Sequence, residues 1–244
     1  MSDHTIPEYL QPALAQLEKA RAAHLENAHL MDETVTAIER AEQEKNALTQ
    51  ADGNDADDWR TAFRAAGGVL SDELKQRHIE RVARRELVQE YDNLAVVLNF
   101  ERERLKGACD STATAYRKAH HHLLSLYAEH ELKHALNETC EALVRAMHLS
   151  ILVQENPLAN TTGHQGYVAP EKAVMQQVKS SLEQKIKQMQ ISLTGEPVLR
   201  LTGLSAATLP HMDYEVAGTP AQRKVWQDKI DQQGAELKAR GLLS

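Results

Sequence analysis

From Leu10 to Leu48 the chain is polar on average, yet Leu10, Leu14, Leu17, Ala28, Met31, Val35 and Ile38 recur at alternating spacings of four and three. That spacing is a heptad seam and predicts a long helix packed lengthwise on another, with Arg21 and His24 interrupting the apolar register. The acidic run Asp52-Gly53-Asn54-Asp55-Ala56-Asp57-Asp58 breaks the period and reads as a linker loop, since it lacks the downstream glutamate of a calcium loop. Trp59–Ala66 predicts a short helix. After Gly67-Gly68, Ser71 is a good N-cap for the next helix, with Asp72 and Glu73 complementing the positive end of its dipole. That helix is expected to carry Leu87, Tyr91, Leu94, Leu98 and Leu105 at heptad spacings and to end at Gly107. A third long pattern, Ser111 to Glu155, carries Leu123, Tyr127, Leu132, Leu136, Leu143, Met147 and Ile151. It stops at Asn156-Pro157, because the residue before a proline avoids helical geometry.

Asn160–Gly166 reads as loop. Pro170 then opens a shorter helix through Leu193, with Met175, Val178, Leu182, Ile186 and Met189 on one side. Thr194–Gly218 holds much of the remaining glycine and proline and reads as an irregular tether, with Val198-Leu199-Arg200-Leu201 as its extended piece. Thr219-Pro220 pairs a cap with a first-turn proline and starts a last helix with Trp226, Ile230 and Leu237 inward, closed by Gly241. The pattern predicts an all-α fold, an elongated bundle of long helices with heptad seams: a long-helix rod or hairpin in residues 1–156, then a shorter helix, an irregular tether and a C-terminal helix for self-association in residues 157–244. Helices of about 35 to 45 residues would each span about 50 to 65 Å at 1.5 Å per residue. Narrow seams on such rods leave apolar stripes for another chain to cover, so self-association is expected.

Composition supports helices. Of the 244 residues, 33 are Ala and 30 Leu, against seven Ile, two Phe and two Trp, which is a helix former's inventory and excludes an all-β fold. A parallel-sheet enzyme would need Val/Ile-rich runs that are missing. The net charge of −7 disfavours nucleic acid and anionic membrane as partners. The apolar stretch Ala146–Val153 is too short to span a bilayer and Met1–Leu10 resembles no signal peptide, so a soluble, unsecreted protein is expected. Cys109 and Cys140 read as small buried hydrophobes without disulfide spacing.

The sharpest chemical motif is His130-Glu131-Leu132-Lys133-His134, the H-E-x-x-H pattern in which two histidines one turn apart bind zinc and the glutamate acts as general base. Against it stand twelve histidines, five of them between His120 and His134, Asn137 where the metzincin extension needs glycine, and no clear third ligand. The motif therefore reads as a decoy, either a structural zinc site or a solvated helix face, with no catalytic residue and no cofactor expected. His120-His121-His122 point about 100° apart on a helix, cannot converge on one ion, and read as surface. Arg77, Arg81, Arg84 and Arg85 alternate with Glu73, Glu80 and Glu86 and read as a solvated, ion-paired face. Trp226, beside Val225 on an amphipathic helix behind a tether, is a candidate interface anchor together with Ile230 and Leu237; docking on the chain's own bundle is the other reading.

The segment Arg85-Glu86-Leu87-Val88-Gln89-Glu90-Tyr91-Asp92-Asn93-Leu94, the histidine-rich stretch His120–His134 and the ending Leu209–Ser244 resemble the capsid size-determination (Sid) family of enterobacterial satellite phages, over essentially the whole chain. The resemblance implies an external scaffold. It would form a cage outside the growing shell, contact hexameric capsomers of the helper phage's major capsid protein, and force a smaller icosahedron that excludes the larger helper genome. It would act in the host cytoplasm, on the outer surface of the procapsid, and be absent from the mature virion. The helical half also resembles the polarity-suppression protein of the same phages, which decorates capsids and inhibits the termination factor Rho; a helical regulator and a zinc peptidase are the alternatives.

Overall fold

The computed structural model describes residues 6–155 and 168–243, with the side chains of residues 54–56 outside the description. A single 3-10 turn, Glu8–Leu10, leads into α1 (Gln11–Ala65), followed by α2 (Asp72–Thr139), α3 (Glu141–Gln154), α4 (Pro170–Gln188), α5 (Pro197–Thr202) and α6 (Pro220–Ala239). Helix accounts for 82% of the described residues, and no strand occurs among them. The fold is all-α, as the periodicity predicts. The expected stop at Asn156-Pro157, the loop Asn160–Gly166 and the boundary between residues 156 and 157 lie outside the described residues.

The first two helices are longer than the sequence reading had them. The acidic run 52–58 is no loop: α1 continues through it to Ala65, absorbing Trp59–Ala66. The reason is that Asp52 faces α2, accepting hydrogen bonds from Arg81 at 3.4 Å and Arg85 at 3.1 Å, so its charge belongs to a helix contact. The turn comes at Gly67 (φ 62°) and Gly68 (φ 85°), left-handed positions that suit glycine. Ser71 caps α2 as expected, its Oγ accepting from Leu74 N at 3.2 Å. Gly107 does not end that helix. The chain stays helical through it to Thr139, breaks at Cys140 and resumes as α3.

Further along, α4 ends at Gln188, five residues before the expected Leu193. Val198-Leu199-Arg200-Leu201 is helix instead of extended chain: Pro197 sits in the first turn of α5 with its φ already suited, and Val198 is 1% exposed. Thr219 caps α6 through a full capping box with Gln222, and Gly241 follows its end at φ 71°.

The chain forms two compact units, each drawn from two stretches: residues 1–17 with 117–207, and residues 18–116 with 208–244. In the first, Leu10, Ala13 and Leu17 of the N-terminal segment and Ala119 and Leu123 of α2 are buried, as are Val174 and Val198. In the second, Met31, Leu105 and fully buried Cys109 form the core, with Val35 and Tyr214 packed against it. Cys140, expected buried, is half-buried at the α2–α3 break.

Candidate assembly surfaces

In the second unit α6 docks on α2 through interlocking glycines and rings. A Cβ on Gly107 would lie 2.0 Å from Cη2 of Trp226, so the indole fills the notch that this glycine leaves in α2. One helical repeat away the relation is reversed, with Phe100 of α2 closing on Gly234 of α6, where a Cβ would come within 3.2 Å of the ring. Ile230 and Leu237 are 5% and 6% exposed, and Arg223 donates to Asp110, itself buried, at 2.8 Å. The candidate anchors Trp226, Ile230 and Leu237 thus face the chain's own α2, while Val225 points outward at 70% exposure.

A strap precedes α6. His24, fully buried in the α1 seam, is hydrogen-bonded by one ring nitrogen to Thr112 Oγ1 (3.0 Å) and by the other to the Pro210 carbonyl (2.9 Å). His211 reaches Asp32 at 2.8 Å, its ring parallel to that of Tyr214. It does so with φ at 58°, a strained value for a residue with a Cβ. Burial, then the nearby Asp32 carboxylate, pushes the Cys109 thiol up and keeps it protonated. Of these, the seam position of His24 and the burial of Cys109 were visible in the sequence; the strap was not, because it is held by the Pro210 carbonyl, which carries no sequence signal, and by a pairing of His211 with Asp32 across 179 residues.

Beyond the turn between α1 and α2, the basic stripe divides. Arg77 pairs with Glu73 at 3.0 Å on the surface, as expected. Arg81, however, is not solvated: it is 6% exposed and lies 5.5 Å over the Trp59 ring while bonded to Asp52. Burial alone would push the Asp52 carboxyl up, but Arg85 and Arg81 outweigh it and hold it below the usual carboxylate range.

The H-E-x-x-H residues lie in the first unit and do not converge on a site. His130 stacks on Tyr9 with centroids 3.9 Å apart, His134 lies 6.4 Å from it at a tilt, and Glu131 only flanks His130 at 3.6 Å. Among the described residues no group of three or more His, Cys, Asp or Glu is placed to hold a metal. Nearby, Tyr127 donates to Glu196 at 2.5 Å, a bond that, with burial, pushes the phenol far up. His121 and His122 are exposed as expected, whereas His120 is buried and bonded to the Thr202 carbonyl at 3.1 Å.

The same unit leaves much apolar surface open. Leu132 and Leu136 near the end of α2, Val144 and Leu149 of α3, and Ile186 of α4 are each more than half exposed, and α3 buries no residue at all. The heptad positions of this stretch were legible; that the described residues of the unit leave them exposed was not. No helix among the described residues is long and apolar enough to cross a membrane.

No protein-family model matches the chain. It is 99% identical over all 244 residues, and over the whole of the relative, to Glycoprotein 3 of Enterobacteria phage P4. It also superimposes on a chain of the satellite phage P4 procapsid including size determination (Sid) protein, with a TM-score of 0.80 and 99% identity, covering 96% of this chain and all of that one. Uncovered helical faces, a docked C-terminal helix and near-identity along the full length converge on one conclusion: the chain belongs to the Sid family of capsid size-determination proteins.

Proposed function

We propose that the chain is an external scaffold that sets capsid size: it assembles into a cage outside the helper phage's procapsid, engages hexameric capsomers of the major capsid protein, and directs a smaller icosahedron matched to the satellite genome. The observation that carries this reading is near-identity to the size-determination protein of a procapsid, over the full chain. The exposed apolar faces of the first unit support it, because a strut that works by joining others needs faces left uncovered in the single chain.

The mechanism is thermodynamic. A scaffold that binds the sharply curved arrangement of capsomers more tightly than the flatter one shifts assembly toward it, and repetition over a closed cage multiplies a small difference per contact. Individual contacts stay weak enough for the scaffold to leave before the virion matures, and assembly takes place in the host cytoplasm. In this reading α6 is a joint of the cage: Trp226, Ile230 and Leu237 hold it on α2, so that its outer face, with Val225, is presented at a fixed angle. The role is structural and uses neither cofactor nor metal. Co-expression with the helper's capsid protein, followed by sizing of shells in electron micrographs, tests it. Small shells with an outer lattice are expected; large, bare shells in the presence of folded protein would overturn the assignment.

A further inference from the structure

One ring in the second unit touches three stretches of chain. His24 belongs to α1, and its fully buried imidazole reaches Thr112 of α2 through Nδ1 and the Pro210 carbonyl of the strap through Nε2. A carbonyl can only accept, so Nε2 carries the proton and donates to the strap, which leaves Nδ1 to face the Thr112 hydroxyl. That hydroxyl also reaches the Ala108 carbonyl of its own helix at 2.9 Å, so the bond that ties the long helices to the strap is the one from Nε2. On either side of it the chain is bonded within itself. In residues 208–239, Leu209 N donates to Met212 Sδ at 3.0 Å, His211 stacks on Tyr214, and Thr219 and Gln222 close a capping box. Strap and α6 therefore carry their own local structure. The helices beneath are tied to each other without them, by Lys45 with Asp92 and by Asp52 with Arg81 and Arg85.

We infer that His24 is the positioning residue of a latch: its Nε2–H bond holds strap and α6 down as one piece, and that piece lifts from α1 and α2 as a unit, without unfolding the long helices. The inference goes beyond the scaffold reading and rests on nothing in it. Segments that are well bonded internally and joined to the body by separate contacts open in this way, as sub-global units. The joining contacts here are the His24 bond, His211 on Asp32, Arg223 on Asp110, and the α6 side chains seated on α2. One of them is held under tension, because His211 reaches Asp32 only with its backbone at φ 58°, and lifting relaxes it. Tyr214 of the strap packs against Met31, Leu105 and Cys109. Lifting therefore bares a thiol that is fully buried in the closed state, which gives the latch its own reporter.

The full-length protein with Cys140→Ser keeps Cys109 as its one thiol, and the rate at which a thiol reagent modifies it at mildly alkaline pH, followed against urea, tests this. A latch gives a urea slope well below that of global unfolding, because little surface is exposed when a strap and one helix lift. A slope equal to that of global unfolding would overturn the inference. Variants at position 24 then ask whether the Nε2 bond is the one that holds. A glutamine places its amide nitrogen where Nε2 lies, and an asparagine places its own where Nδ1 lies. His24→Gln should therefore keep the bond to Pro210 and react within about threefold of the parent, whereas His24→Asn loses it and should react at least about tenfold faster. His24→Leu suits an apolar seam but also leaves the strap untied, and should react faster by a similar factor; a residue that merely fills the seam would make this variant no faster than the parent. Circular dichroism should show parental helical content in all three. Equal rates for the glutamine and asparagine variants, or a leucine variant as slow as the parent, would overturn the role of His24, and should any variant fail to fold, the urea slope of the parent decides.

Discussion

Gly107 and Trp226 fit as notch and wedge, and the glycine reads differently once its partner is known. On sequence it marks a helix end; in the fold it lies within α2, where its missing side chain admits an indole from more than a hundred residues away. Nothing local encodes that distant use, so the misreading has a physical cause. Gly107→Ala should favour helix by about 1 kcal/mol yet cost more, about 1–3 kcal/mol, by displacing the ring. A lowered urea midpoint with unchanged helicity is the expected result, and a raised midpoint would show that the notch is loose. Asp52 gives a second test. Its carboxyl is held low in the fold, so its stabilisation is present above the unfolded value near 3.9 and is lost as pH falls through the lower folded value. Asp52→Asn should therefore lower the urea midpoint at pH 6, and the gap to wild type should close as the pH falls through that lower folded value. A gap independent of pH would mean that the charge on Asp52 is immaterial.

At the level of elements, caps and seams were legible and interruptions were not. Ser71 and Thr219 cap where their positions predict, because the signal for a helix start is local: an oxygen that meets a free backbone N–H three residues on. Replacing Thr219 with alanine should cost about 1 kcal/mol, read as a lowered thermal midpoint. The heptad seam of α1 was equally visible, down to His24, which occupies an apolar position because Thr112 and the Pro210 carbonyl satisfy both of its nitrogens. By contrast Gly53 and its acidic neighbours looked like a break and are helix, since a cost of about 1 kcal/mol for a helical glycine is small beside the pairing of Asp52 with two arginines. The residues Val198–Leu201 read as the extended piece of the tether, but an isolated strand has no neighbour to complete its hydrogen bonds, whereas a turn of helix supplies its own.

For the molecule as a whole, the sequence left two readings of the C-terminal helix open, an interface anchor and docking on the chain's own bundle. Trp226, a scarce, large apolar residue, faces α2, so on the scaffold reading its loss is expected to act on assembly through the docking of α6. Trp226→Ala should leave helical content nearly unchanged, destabilise the second unit by about 2–4 kcal/mol, and yield large shells in co-expression. Small shells from that variant would show that α6 is no joint. The two units have a further consequence, in time. Because each is assembled from separated stretches, neither can be completed as the ribosome delivers the chain in order. Residues 1–17 wait for residues 117–207 to emerge, and the core around Met31, Leu105 and Cys109 waits longer still, for the strap and α6 to arrive. Within this unit α6 comes after the stretch it docks on, so the notch at Gly107 stays open, and the unit incomplete, until residues 220–239 have emerged.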